Sequence, residues 1–143
     1  MENIKSTKLI HQEISFKIIG CAFEVYNTLG PGHLEHVYQK ALALEFKCKQ
    51  IAFDEQVKFS LELKSQKCGY YFVDFLVEEN VIVEIKRDIQ SGRKYFNQVL
   101  NYLHTSKLAL ALLIQFGPDK VYLKRIVLEQ YLKEQTKHNT SSL

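Results

Sequence analysis

The segment 71–86, YFVDFLVEENVIVEIK, constrains the fold of this chain more than any other stretch. Two runs rich in β-branched and aromatic residues flank Glu78-Glu79-Asn80, a pattern that reads as a β-hairpin. Side chains alternate faces along a strand, so Glu84 and Lys86 project together while Val83 and Ile85 face the other way. The turn decides whether Asp74 joins them. A two-residue Glu79-Asn80 turn pairs 78 with 81, sets Asp74 opposite Ile85 and separates the charges. A three-residue loop over 78–80 pairs 77 with 81 and sets Asp74 opposite Glu84. Asn tolerates the left-handed conformation that ends such a loop, and a one-residue slip would scatter the cluster, so the second register is favoured.

Two carboxylates and a backbone carbonyl (that of Ile85) on adjoining strands are hard oxygen donors suited to Mg²⁺, which keeps several waters when bound. Such an ion polarises a phosphoryl oxygen and generates hydroxide from water, and Lys86 would add a fixed positive charge beside the developing phosphorane. The chemistry that wants this arrangement is metal-assisted phosphodiester hydrolysis. The competing explanation is an amphipathic hairpin with a solvated Asp/Glu/Lys face. Pattern alone favours it, because charged residues usually face water. Context argues back. Ile82 shares the face of Glu84, and Phe72 and Leu76 share that of Asp74, so this face is expected to be partly buried, where charges need a partner or a metal.

A chain of 143 residues is long enough for one domain that buries about 68–70% of its unfolded surface without staples. No apolar run approaches the roughly 18 residues of a membrane span, so no membrane partner is expected. The opening residues, MENIK, contain no signal-peptide core. Cys21, Cys48 and Cys68 are odd in number and widely spaced, which argues against a disulfide framework, a zinc ribbon or an iron–sulfur cluster. They are expected to pack as small apolar residues, and a reducing cytoplasm is the simplest location. A net charge of +3 permits a nucleic-acid partner without demanding one.

Hydrophobic periodicity predicts a helix over 9–29, with a stripe at Ile10, Ile14, Ile18, Ala22, Val25 and Leu29. Gly30-Pro31-Gly32 breaks it. A second helix is expected over 33–50 with Leu34, Val37, Ala41, Leu44 and Cys48 on the core side. Strands follow at 56–63, 70–77 and 81–86, then a helix over 92–104 and strands at 108–116 and 121–128. The apolar run 110–114 suits a strand buried on both faces. The order ααβββαββ predicts a mixed α/β sheet with helices on its faces. The expected division is an arm over 1–8, one domain over 9–128 and a tail over 129–143, short helix first and then disorder.

Glu35 lies on the margin of the second helix beside Tyr38, Gln39, Leu42 and Phe46. With Gly32 as N-cap it would be the third helical residue, where Glu favours the helix terminus for purely structural reasons. A third carboxylate near the hairpin could equally hold a water or a second ion. Gln98 and Tyr102 stand one turn apart and share a face with Tyr95, either as a polar helix edge or as substrate-positioning groups. Arg87, Arg93, Lys94, Lys107, Lys124 and Arg125 could contact phosphates or simply face water. His33 and His36, i and i+3 without a third ligand, are weak evidence for zinc.

Taken together, Glu35, Asp74, Glu84-x-Lys86 and Gln98-x-x-x-Tyr102 resemble the PD-(D/E)xK nuclease superfamily. More narrowly, the chain resembles the bacterial GxxExxY protein family, whose motif stands here as Gly32-x-x-Glu35-x-x-Tyr38. The similarity spans about residues 9–128 and includes VDFLV at 73–77 and LLIQFG at 112–117. Val73 replaces the signature proline, and Gln115 stands where relatives often carry Asn. The resemblance implies a restriction-endonuclease-like αβββαβ core, a mixed sheet flanked by helices with an extra N-terminal helix. It implies Asp74 and Glu84 as Mg²⁺ ligands (Mn²⁺ as substitute), Glu35 as accessory ligand and Lys86 as helper of the attacking water. Gln98, Tyr102 and Tyr38 would position the substrate, and Arg87, Arg93 and Lys94 would bind nucleic acid, DNA in the first place. Analogy with small nucleases of this fold adds a homodimer to the expectations. Two other readings stay open: a non-catalytic nucleic-acid-binding member of the same fold, and a dimeric interaction module with a vestigial acidic cluster.

Overall fold

The computed structural model describes residues 11–87 and 92–132. The expected arm over 1–8, the core position of Ile10 and the end of the tail lie outside them. The elements are α1 (Gln12–Leu29), α2 (Glu35–Cys48), β1 (Phe53–Leu63), β2 (Gln66–Val77), β3 (Val81–Lys86), α3 (Gly92–Ser106), β4 (Leu110–Phe116) and β5 (Val121–Val127). Their order is the ααβββαββ that the periodicity predicts. A helical turn at 129–132 follows β5. Among the described residues, no helix is long and apolar enough to cross a membrane.

The five strands form one sheet in the order β1-β2-β3-β4-β5. Only β3 and β4 run parallel, and α3 makes the crossover that a parallel pair requires. One core layer holds Ile14, Ile18, Ala22 and Val25 of α1 and Tyr38, Leu42 and Phe46 of α2. These pack on Phe75, Val77, Val81, Val83, Ile85, Leu112 and Ile114. A second layer packs Val99, Tyr102 and Leu103 of α3 against Val73, Ile82, Ala111, Leu113 and Ile126. β4 is therefore buried on both faces, as its unbroken apolar run requires.

α1 stops at Gly30, whose left-handed φ of 72° turns the chain while its amide still bonds the carbonyl of Tyr26. Gly32, at φ 91°, keeps the backbone out of the helical region. Leu34 is thus the extended N-cap of α2 and Glu35 its first helical residue, rather than Gly32 and the third. The buried face of α2 also differs from the expected stripe. Leu34 and Leu44 are more than half exposed and Cys48 is exposed, whereas Tyr38, Leu42, Ala43 and Phe46 are buried. Aromatic burial decides this. Tyr38 stacks on Phe116 at 4.3 Å and Phe46 meets Phe75 edge-on at 5.2 Å, and both rings are fully buried. The same rotation brings Glu35, one turn before Tyr38, toward the sheet. Of the cysteines, only Cys21 packs in the core, and Cys48 and Cys68 lie on the surface.

Candidate active site

The β2–β3 hairpin has the register in which Val77 pairs with Val81, followed by Leu76 with Ile82 and Phe75 with Val83. The next step brings Asp74 to Glu84. Its turn differs in detail from expectation. Glu78 and Glu79 take the left-handed conformation, with φ of 50° and 62°, and Asn80 does not. Asn80 instead donates its amide to the carbonyl of Val77 and its side-chain nitrogen to that of Glu78. The primed turn matches the twist of the strands, and the Glu78 amide is held by the carbonyl of Ala52 at 2.9 Å.

At Asp74 the regular ladder gives way to side chains. The Asp74 amide donates to Glu84 Oε1 at 2.8 Å, and the Ile85 amide donates to Asp74 Oδ2 at 2.8 Å. Each carboxylate thus satisfies a backbone donor where β2 and β3 part. The inward face of β2 changes at the same residue: Phe75 and Val77 lie in the α1/α2 layer, while Val73 lies under α3. The expected burial of Phe72 fails for this reason. It is 46% exposed, beyond the twist.

Burial shapes the electrostatics. Glu84 is only 2% exposed, and its pKa is pushed up to about 8 by desolvation first and by the neighbouring Asp74 second. The Asp74 amide and Lys86 pull the other way, while Glu35 adds to the rise. Burial also raises Asp74, against the Ile85 amide, Lys86 and Gln56. Lys86 Nζ lies 3.9 Å from Glu84 Oε2 and 5.0 Å from the centre of the Tyr95 ring. One ammonium at that distance does not offset the desolvation of two carboxylates.

Around this centre, the Gln98 side chain hydrogen-bonds the Tyr102 hydroxyl, while its own Oε1 is buried without a partner. Burial and the charges of Glu84 and Asp74 raise the pKa of Tyr102, which places this phenol on the carboxylate side of α3. Tyr38 has a different surrounding from the one expected of a substrate-positioning group. It is fully buried, and its hydroxyl donates to the carbonyl of Gly30 at 2.7 Å and receives the His33 amide at 3.3 Å. It pins the loop that leads into Glu35. Arg87 is exposed after β3, and Arg93 and Lys94 are exposed in the first turn of α3. Gln56 was not singled out by pattern. Its Nε2 lies 3.3 Å from Asp74 Oδ1 and 3.2 Å from Gln39 Oε1, linking the carboxylate to α2. Only the β1–β2 register, with Val57 opposite Val73, could have pointed to it.

A sequence model described as the PD-(D/E)XK nuclease superfamily matches residues 12–126 of this chain. The chain belongs to that superfamily. The match contains both carboxylates, Lys86 and all three described helices of the PD-(D/E)XK domain. A search of curated protein sequences gives no significant match. Among solved structures, the fold is similar to the crystal structure of SSO0001, with a TM-score of 0.54 and 13% identity. That alignment covers 74% of this chain, and the chain spans 59% of the length of SSO0001. An alkaline exonuclease (LHK-Exo) from Laribacter hongkongensis aligns at 12% identity and a TM-score of 0.44, over 85% of this chain and 83% of that one.

PD-(D/E)XK domains invite the question whether these residues suit a divalent cation. The donor chemistry of the pair does: two adjacent, largely desolvated carboxyls resist ionising together beside a single ammonium, and a divalent cation would stabilise the doubly ionised pair. Mg²⁺ characteristically takes one or two carboxylates and retains water in its other positions. Glu35 stands in the first turn of α2, close enough to act on Glu84 electrostatically. Among the described residues, no three His, Cys, Asp or Glu side chains come together as metal ligands. The charge of Glu35 raises the pKa of Glu84.

Proposed function

We propose that this protein is a Mg²⁺-dependent nuclease acting on DNA, of the GxxExxY group within its superfamily. The observation that carries the reading is the Asp74–Glu84 pair bridging the parted strands, with Lys86 beside it on the face toward α3. Superfamily membership supports the reaction class. Asp74, Glu84 and the carbonyl of Ile85 would hold Mg²⁺, or Mn²⁺ in its place, and Glu35 would reach it through water. When bound, the ion supplies charge neutralisation at the phosphoryl oxygens and an acidified water.

The chain's own residues do the rest. The Ile85 amide fixes Asp74 Oδ2, and Gln56 steadies Oδ1, so the carboxylate plane is set before any ligand arrives. The Asp74 amide fixes Glu84 in the same way. Lys86, held between Glu84 and the ring of Tyr95, meets negative charge developing on the phosphoryl group. Gln98 and Tyr102 orient the scissile phosphate from α3, and Arg87, Arg93 and Lys94 attract the flanking backbone. A homodimer is the arrangement we expect, and light scattering on the purified protein tests it.

The deciding experiment is a gel assay with Mg²⁺ or Mn²⁺ on linear, circular, single-stranded and double-stranded DNA and on RNA. Cleavage by the wild type that Asp74→Ala and Lys86→Ala both lose is the expected result. Cleavage surviving both substitutions would refute the assignment. Binding without cleavage on every substrate would favour a non-catalytic member of the fold.

A further inference from the structure

The β1–β2 hairpin extends past β3 and has two unlike faces. Val57, Phe59, Tyr71 and Val73 pack inward under α3. The alternate residues therefore look away from α3, and they make an unusual surface. Lys58 pairs with Phe72 and Ser60 with Tyr70 across the two strands. Tyr70 is 57% exposed and Phe72 46% exposed, and their rings meet edge-on at 5.4 Å. Lys58 Nζ stands 4.4 Å over the Tyr70 ring. The strip ends beside the site, at the twist: Phe72 is two residues from Asp74 on the same strand, and Gln56, two residues from Lys58, touches Asp74. Between Gln56 and Phe72 the chain carries three lysines against one glutamate.

We infer that this face of the hairpin is a stacking platform for a single-stranded polynucleotide leading to the Asp74–Glu84 pair. The inference rests on the nuclease reading for its direction and on the hairpin for its chemistry. Two exposed rings set nearly at right angles offer separate π-faces to bases that are already unstacked, and the ammonium over one face of Tyr70 meets a neighbouring phosphate. A duplex keeps its bases stacked on one another and would leave both rings idle. The platform therefore specifies a strand that is unpaired next to the cleavage point, such as an overhang or flap.

The test measures fluorescence anisotropy of labelled oligothymidylate, oligouridylate and a blunt duplex on the full chain, with EDTA present so that nothing is cut. Tyr70→Ala and Phe72→Ala should each weaken single-strand binding about tenfold, with little effect on the duplex. Phe72→Leu, which keeps the surface apolar, should lose nearly as much. Lys58→Gln should reduce the slope of log affinity against log salt by about 0.7. The protein contains no tryptophan, so Tyr70→Trp introduces a sole reporter, whose emission should be quenched on binding. Oligouridylate bound as well as oligothymidylate assigns the platform to either nucleic acid, and a preference for one names the substrate. Aromatic variants that bind and cleave like the wild type would overturn the platform while leaving the nuclease intact. Aromatic-dependent binding without cleavage would do the reverse.

Discussion

Glu84→Gln removes a charge but keeps the side-chain oxygen that accepts the Asp74 amide, so it isolates what burial of that charge costs. The wild-type carboxyl has an ordinary value of 4.5 and is raised to about 8 in the folded protein. Below the unfolded value both states hold the proton, and ionisation contributes nothing to stability. Between 4.5 and about 8 the folded state keeps the proton and the unfolded state has lost it, so stability falls as pH rises, by up to ~1.4 kcal/mol per pH unit. Above about 8 both are ionised and the full penalty is present. Asp74 is raised too and shares the burden, so the gain expected for Glu84→Gln above pH 8 is on the order of 3 kcal/mol. For a chain of this length that is about 10 °C in Tm. Thermal melts in EDTA at pH 5, 7 and 9 should show the two proteins close at pH 5 and the variant progressively more stable above it. Saturating Mg²⁺ at pH 9 should then raise the wild type more than the variant, because only the intact pair binds the ion well. A Tm difference that is the same at pH 5 and pH 9 would show that Glu84 titrates normally, and the picture of a charge-strained pair would fall.

Lys86→Met should lower cleavage at least ~100-fold while leaving divalent-metal binding measurable by calorimetry; equal losses of both would mean that the lysine builds the site instead of assisting chemistry. Tyr38→Phe deletes the hydroxyl that joins Gly30 and His33, and should cost about 1–2 kcal/mol in urea unfolding. An unchanged midpoint would contradict the pinning role. Gly117→Ala would put a Cβ 2.7 Å from the Tyr122 ring and 2.9 Å from the Lys120 carbonyl, in the turn between β4 and β5. A loss of about 1–3 kcal/mol in the same assay is expected, and neutrality would mean that the turn relaxes freely.

The order of elements was legible because strand and helix periods differ and the breaks at Gly30-Pro31-Gly32 and Gly117-Pro118 are local chemistry. The register of the β2–β3 hairpin was legible because only the three-residue loop gathers Asp74 with Glu84, although the left-handed residues of that loop are Glu78 and Glu79 and not the expected Asn80. With that register the meeting of Asp74 with Glu84 follows, and Lys86 comes with Glu84 by strand alternation. What the sequence could not decide was which side of α2 is buried. Leu34, Leu44 and Cys48 compete with Tyr38 and Phe46 for the core at equal helical spacing, and only the positions of Phe75 and Phe116 on the sheet settle it. The left-handed pair Glu78 and Glu79 likewise runs against intrinsic preference, and is held by the carbonyl of Ala52 from outside the hairpin. The parting of β2 and β3 at Asp74 is a property of the twisted sheet. From it follow the raised Glu84, the contact with Gln56 and the exposure of Tyr70 and Phe72. Local pattern names the residues that can do chemistry, but desolvation and twist depend on everything packed around them.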